Sequence, residues 1–235
     1  MFADSKELDL LTEACRSLPE GEDYRCDDYV KNILLTVLEF ASNTASVNRA
    51  IGHFRRTHGG QITSHEAINT LVHPFADDRD GNTALAVALW DYKLWSRAEL
   101  LRRFLEYLDS AGVYDQDTLA KWATETCYSS IAGRIRTPRH TIGPEIFHWL
   151  QIRVGVPTVK ADVHIVRFVS SAIGRNLSSS EAFCAVHTVA SRLGRNPSLL
   201  DAAIWRHQKA VPLTRKKRRS HSSTQRHEGP NLGTP

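Results

Sequence analysis

Apolar residues recur at intervals of three and four positions along most of the chain, which is the spacing of helices with one buried face. Two examples are the run Tyr29, Ile33, Leu34, Val37, Leu38 and Ala41 and the run Leu101, Phe104, Leu105 and Leu108. Residues 159–169 alternate β-branched side chains as a strand would, but Pro157 and Gly174 flank them and favour a short helix. The pattern therefore predicts an all-α fold.

Short polar patterns predict where several helices begin. A Ser, Thr or Asp followed three residues later by Glu is typical of a capped N-terminus, because the two side chains bond each other's backbone amides. This pattern places helix starts at Asp4, Thr63, Ser96 and Ser178. The Asp80-Gly81-Asn82 sequence predicts a turn instead.

Composition narrows the class of protein. With 41% hydrophobic residues in 235, the chain can build a packed core, and no apolar run is long enough to span a membrane. We expect a cytoplasmic protein, associated with the nucleoid if the source is bacterial, with no membrane partner. The four cysteines contain no C-x-x-C pair, so we expect neither a metal site nor an iron–sulfur cluster.

The formal net charge of +4 is unevenly distributed. Residues 209–235 hold seven Lys or Arg and one Glu, and 213–235 are predicted to be a disordered basic tail that either attracts phosphates or only aids solubility. Residues 129–167 hold six Lys or Arg against Glu145 and Asp162. This basic segment indicates either a contact with a polyanion or a solvated surface, and charge alone leaves both open.

The sequence Thr141-Ile142-Gly143-Pro144-Glu145 predicts a turn followed by a helix. Gly143 permits a tight turn, Pro144 suits the first helical position, and Gly155 predicts the helix end about three turns later. A DNA phosphate could sit against the free amides at such a start, beside Arg139 and His140. By itself, however, a Gly-Pro helix start is more often structural than functional.

The residues after this helix resemble a known family. Gly155 is succeeded by Val156-Pro157-Thr158-Val159 and then by Asp162, Val163 and His164. This order resembles the helix-hairpin-helix DNA glycosylase superfamily, typified by endonuclease III. A second match lies upstream, where Val37-Leu38 and Ser46-Val47-Asn48-Arg49-Ala50 are similar to the family's early helix and loop. The resemblance covers residues 28–205 and is specific mainly at 142–167.

The resemblance implies two helical subdomains flanking a cleft, 28–154 and 1–27 with 155–212, and a helix-hairpin-helix element that binds double-stranded DNA. It implies that Asp162 is the catalytic carboxylate, and that a monomer acts without an organic cofactor. Family hairpins often bind a monovalent cation, so the resemblance allows one here. The expected DNA-binding residues are Arg139, His140, Thr141, Ile142, Gly143, Glu145 and His164. The expected base-pocket residues are Ser42, Asn43, His148 and Trp149, although aromatic residues at helical spacing more often pack in a core.

The sequence also departs from the family pattern. Thr141 stands where the first hairpin glycine is usual, and Glu145 stands where bifunctional members have the lysine that forms a Schiff base. Without that amine, β-elimination by this route is excluded, which predicts a monofunctional glycosylase. A carboxylate at position 145 would also repel phosphate. No clear counterpart of the family's early-loop glutamine, and none of its cluster cysteines, is present.

Asp162 has a simpler interpretation as a helix cap, because an Asp before a helix is very often just that. Both roles are compatible, since a helix N-terminus would stabilise the charged carboxylate that monofunctional base excision needs. The sequence therefore predicts a DNA glycosylase that hydrolyses the N-glycosidic bond of a damaged or mismatched base. One alternative is a non-catalytic DNA-binding protein of the same fold. Another is a helical protein–protein adaptor.

Overall fold

A computed structural model of the protein describes residues 4–39 and 44–210, and within these ranges the fold is all-α. The helices are α1 (Ser5–Arg16), α2 (Tyr29–Leu38), α3 (Thr44–His58), α4 (His65–Val72), α5 (Arg79–Trp90), α6 (Trp95–Ser110), α7 (Gln116–Glu125), α8 (Tyr128–Ile131), α9 (Pro144–Arg153), α10 (Val163–Ile173), α11 (Ser179–Leu193) and α12 (Pro197–Ala210). None of them is both long and apolar enough to cross a membrane. The predicted basic tail at 213–235 lies outside the described residues.

The helix starts predicted at Asp4 and Ser178 are confirmed. Asp4 accepts a hydrogen bond from the Glu7 amide at 2.8 Å, and Ser178 forms a full capping box with Glu181. The Glu7 side chain does not reach back to the cap, because it pairs with Arg175 instead. In both cases the cap depends on residues close in sequence, which is why the pattern identifies it.

Three other local predictions are wrong. Helix α4 is capped by Ser64, not Thr63, and α6 begins at Trp95, where the Ser96 hydroxyl lies 3.0 Å from a histidine of another segment. The residues 80–82 form no separate turn but lie in the first turns of α5. The cause is Asp78, whose carboxylate accepts from the Gly81 amide at 2.8 Å and starts the helix there.

The buried apolar side chains form two clusters. The first is built from helices α2–α9, and the second from α1 and α10–α12. The segment between α1 and α2 contacts α9: the Cys26 amide donates to the Arg153 carbonyl at 2.7 Å, and the Tyr24 ring packs edge-on against Trp149 at 5.2 Å. The subdomain boundaries and the cleft expected from the resemblance stay predictions.

The segment predicted to be a short helix at 159–169 is helical only in its second part. Residues 156–162 are not helical, and α10 begins at Val163 with Asp162 as its N-cap. The preceding helix, α9, starts at Pro144 as predicted, and Gly155 lies just past its end with a positive φ of 91°. These non-helical residues connect the two clusters and lead directly to Asp162.

Candidate functional site at the hairpin and the start of helix α10

A short hairpin precedes α9. The Ile142 amide donates to the Ile135 carbonyl at 3.0 Å. The Thr137 amide donates to the His140 carbonyl at 2.7 Å, which closes the turn formed by Pro138 and Arg139. Ile142 is buried and anchors the hairpin on the first cluster. Its side chain is therefore directed into the protein, and only its backbone could meet a ligand.

Arg139 and His140 differ in what they present to solvent. Arg139 is exposed, with its guanidinium carbon 5.0 Å from the centre of the Trp95 ring. His140 is half-buried, and its Nε2 lies 3.0 Å from the Ser96 hydroxyl. Burial and the neighbouring Arg97 and Arg139 lower the pKa of His140, so its imidazole is neutral at pH 7. The positive charge at the hairpin tip comes from Arg139.

The start of α9 is open on its outer side. Gly143 is the N-cap, no side chain caps the helix, and a side chain added at Gly143 would meet nothing within 4 Å. Its φ of −86° is accessible to any residue, so here glycine provides space and not a special backbone conformation. Thr141 beside it is exposed, and its hydroxyl donates to the Ile135 carbonyl at 3.3 Å.

Glu145 brings negative charge to this helix start. It lies in the first turn of α9 with its side chain exposed. Partial desolvation and the carboxylate of Asp162 raise the pKa of Glu145, whereas Lys160 opposes the rise. The pKa of Glu145 therefore responds to the charge of Asp162, the N-cap of α10.

Asp162 is held by the first turn of α10. Its Oδ1 accepts from the amides of His164 at 2.8 Å and Ile165 at 3.3 Å, which confirms the predicted cap. Its own amide donates to the Lys160 carbonyl at 2.6 Å, which tightens the chain just before the helix. The residue is half-buried, so the carboxylate is neither sealed in the core nor fully in solvent.

A second carboxylate, missed by sequence reasoning, lies behind Asp162. Asp201 of α12 is 5% exposed and accepts from the Lys160 amide at 2.9 Å. Burial and the Asp162 carboxylate raise the pKa of Asp201 to about 8. The signal available in the sequence was an acidic residue among the apolar residues Leu200, Ala202 and Ala203 of one helix, where a charge is unexpected.

The region from just before α6 to the last turn of α12 matches a known family model. A domain of unknown function (DUF8548) matches residues 91–209. The chain belongs to this family. No curated protein matches the chain. The DUF8548 region contains the hairpin, Asp162 and Asp201, so these features lie within one family unit.

The predicted base-pocket residues of the DUF8548 region are engaged by other side chains. The His148 ring stacks on Phe183 with centroids 4.7 Å apart, and burial lowers the pKa of His148 to about 4. Trp149 packs against Tyr24, and the Lys160 amine lies 4.9 Å above its ring. Their role in a base pocket stays a prediction. Ser42 and Asn43, the other predicted pocket residues, lie outside the described ranges.

His164, also within the DUF8548 region, contacts Asp162 through its backbone amide, which donates to Oδ1. Its ring edge packs against Trp205 at 6.2 Å, and its buried Nδ1 has no hydrogen-bond partner among the described residues. In 4–39 and 44–210, no group of three or more His, Cys, Asp or Glu side chains is arranged to hold a metal ion. A monovalent cation bound by hairpin carbonyls stays a prediction.

A cavity and a groove are lined by none of the predicted site residues. The cavity, of 370 Å³, lies between α2, α3 and the starts of α4 and α7. A wider groove of 640 Å³ runs along the outer face of α10, from Val163 to Leu177. Val163 is 63% exposed and comes directly after Asp162 in the chain, but Asp162 itself does not line the groove.

Proposed function

We propose that this protein is a monofunctional, DNA glycosylase-like base-excision repair protein. It would hold double-stranded DNA through the helix-hairpin-helix element formed by α8, the hairpin and α9, and hydrolyse the N-glycosidic bond of a damaged or mismatched base. One observation carries the proposal. The half-buried carboxylate of Asp162 is held at the N-terminus of α10, where its Oδ1 accepts from the amides of His164 and Ile165.

The chemistry depends on the way Asp162 is held. Both amide hydrogen bonds reach Oδ1, and these bonds together with the helix dipole stabilise the negative charge of the carboxylate. Oδ2 is then the oxygen that would stabilise positive charge developing on the sugar and orient or deprotonate the water that attacks C1′. Glu145 offers no amine, so hydrolysis by water replaces Schiff-base chemistry.

DNA binding would use the surface on the outer side of the hairpin. The uncapped amides at the start of α9 suit a phosphate, and the exposed Arg139 adds a positive charge. Thr141 contributes an exposed polar side chain and Gly143 an open approach. The resemblance in sequence between 142 and 167 supports the same assignment.

The test is base release from duplexes that carry a panel of lesions and mismatches, with alkali cleavage of the abasic sites as the readout. We expect at least one substrate to be cut and Asp162→Asn to slow its release by about 10² to 10⁴-fold, the usual contribution of general acid–base catalysis. DNA affinity should change by less than about threefold, because Asn still caps the helix. Asp115→Asn, which makes the same change at the N-cap of α7, is the matched control. Equal release by wild type and Asp162→Asn would contradict the assignment of Asp162.

A non-catalytic DNA-binding protein is the second candidate. The specific observation in its favour is that Glu145 puts a carboxylate in the first turn of α9, where a phosphate would bind, while Oδ1 of Asp162 is occupied by the cap of α10. Duplex binding at low salt without release of any base in the panel would support this candidate. Absence of binding at low salt would contradict both candidates and favour a helical adaptor.

A further inference from the structure

The segment that leads to Asp162 is fastened to α12 by side chains. The Thr158 amide donates to the Ser198 hydroxyl at 3.1 Å, and the Lys160 amide donates to the Asp201 carboxylate at 2.9 Å. The Ser198 hydroxyl also lies within hydrogen-bond distance of the carbonyls of Val156, at 3.3 Å, and of Thr158, at 3.1 Å. Two side chains one helical turn apart thus bind alternate amides of an extended segment.

This attachment continues directly into the catalytic candidate. The Lys160 carbonyl accepts from the Asp162 amide at 2.6 Å, and the Asp162 carboxylate then caps α10. Asp201 is buried, and a buried carboxylate without enough partners is costly for the fold. An Asn could accept the same hydrogen bond without that cost, so what this position supplies to the segment is an acceptor oxygen for the Lys160 amide.

We propose that Asp201 is a positioning residue for Asp162: with Ser198, it fixes residues 156–160 on α12 and so sets the place and orientation of the Asp162 carboxylate. This proposal rests on the proposed function, because it assigns Asp201 a role in the same site. Asp201 does not touch DNA, since it is buried beneath the segment that it holds. Its effect on base release passes through the backbone of Lys160.

Electrostatics couples the two carboxylates as well. The carboxylate of Asp162 contributes to the raised pKa of Asp201, and Lys160 opposes it through its amide and its charge. Tyr24 is the further titratable group that senses Asp201, because the Asp201 charge helps to raise the pKa of that phenol. At pH 7 Asp201 is therefore mainly protonated, which keeps a second negative charge away from Asp162.

The test compares Asp201→Ala, Asp201→Asn and Ser198→Ala in the full chain, with Ile204→Val as the matched control. Ile204 is fully buried one turn further along α12, so its variant weakens the packing of this helix without removing a hydrogen bond to residues 156–160. Three quantities are measured. They are hydrogen exchange at the amides of Lys160, Asp162, His164 and Ile165, the single-turnover rate of base release, and the dissociation constant for duplex DNA.

We expect Asp201→Ala to speed exchange at the Lys160 and Asp162 amides about tenfold or more and to slow base release by a similar factor, with duplex affinity changed less than about threefold. Asp201→Asn, which keeps an acceptor oxygen, should retain most of the protection and rate. Ser198→Ala should give a smaller change of the same kind. Ile204→Val should lower the melting temperature but leave all three quantities near wild type.

Unchanged exchange at the Lys160 and Asp162 amides in Asp201→Ala would overturn the positioning role. An increase in exchange at these amides that is as large in Ile204→Val as in Asp201→Ala would overturn it as well. If Asp201→Ala does not fold, Ser198→Ala and Asp201→Asn decide by the same exchange measurement. If wild type releases no base but exchange changes as expected, the proposed function fails. The structural part of the inference, that Asp201 holds Asp162 in place, then stands without it.

Discussion

Arg153 and Asp201 are both buried ionisable side chains, but their surroundings differ. The Arg153 guanidinium donates to Asn32, Thr36 and Glu39 at 2.7 to 3.2 Å. These three acceptors lie in α2 and at its C-cap. Among the described residues, the Asp201 side chain accepts a single hydrogen bond, from the Lys160 amide, and another carboxylate lies nearby.

The number of hydrogen-bond partners distinguishes two roles of a buried ionisable group. A buried charge with a full set of partners fixes how helices pack, and removing one partner exposes the others to the cost of burial. A buried carboxylate with few partners and a raised pKa reduces stability, and such groups concentrate at functional sites. Arg153 therefore holds α9 on α2, whereas Asp201 has the burial, the single hydrogen-bond partner and the raised pKa of the second kind.

The largest expected effect is a loss of stability on replacement of Arg153. Arg153→Met keeps the aliphatic stem but leaves Glu39, Asn32 and Thr36 without their donor, so we expect a loss of about 3 to 5 kcal/mol in the free energy of unfolding. Urea denaturation measures it. Arg192→Met, which removes an exposed ion pair with Asp9, should change stability far less. A loss in Arg153→Met no larger than in this control would show that the Arg153 network is dispensable and that the two buried charges do not differ.

The second prediction concerns the pH dependence of stability. The pKa of Asp201 is about 8 in the folded protein and near 4 when unfolded, so the folded state binds this proton more tightly. Its contribution to stability is full below about pH 4 and is lost as pH rises through 8, with a slope of at most about 1.4 kcal/mol per pH unit. Stability of Asp201→Asn relative to wild type should therefore rise between about pH 5 and pH 8.

The relative measurement isolates Asp201 from other titrating groups. His148, with a folded pKa of about 4, contributes stability that is lost as pH falls below 6.5, which is the opposite direction. Glu145, whose pKa is also raised, acts in the same direction as Asp201. Both contributions are common to the two proteins and cancel in the difference between their stability curves. A difference that does not vary with pH would show that Asp201 is ionised throughout, as a fully satisfied carboxylate would be.

Local sequence signals predicted the cap at Asp162 but neither of the two buried charges. The Asp162 cap and the start of α9 at Pro144 depend on neighbours within three residues, and both were predicted correctly. The Asp201 bond to Lys160 joins positions 41 apart, and the Arg153 bonds join positions 114 to 121 apart. No local pattern specifies such pairs, because they depend on how whole helices pack.

The same reason explains the smaller errors. Ser96 fits a capping pattern but contacts His140 across the fold, so a tertiary partner replaced the local one. The turn predicted at Asp80-Gly81-Asn82 failed because a stronger cap two residues earlier, Asp78, had already begun the helix. All-α architecture depends on periodicity and was predicted correctly, whereas the surroundings of a site depend on contacts that periodicity does not describe.

The smallest expected effect tests whether the negative charge of Glu145 weakens DNA binding. Glu145 lies in the first turn of α9, where a phosphate would bind, and a negative charge there should cost up to about 1 kcal/mol. We expect Glu145→Gln to bind duplex DNA about three- to fivefold more tightly at low salt, and fluorescence anisotropy measures the change. Glu13→Gln in α1 makes the same change in charge on an exposed part of the second cluster and is the control.

The pH dependence makes this prediction specific to Glu145. Because Asp162 and partial desolvation raise the pKa of Glu145, protonation occurs at a higher pH than for an ordinary glutamate. Affinity of the wild type should therefore increase as pH falls through this titration, while Glu145→Gln should lack that part of the increase. Equal pH profiles for the two proteins would mean that DNA does not approach the start of α9. The hairpin would then have no role in DNA binding, and Glu145 and Asp162 would act only in the folding of the protein.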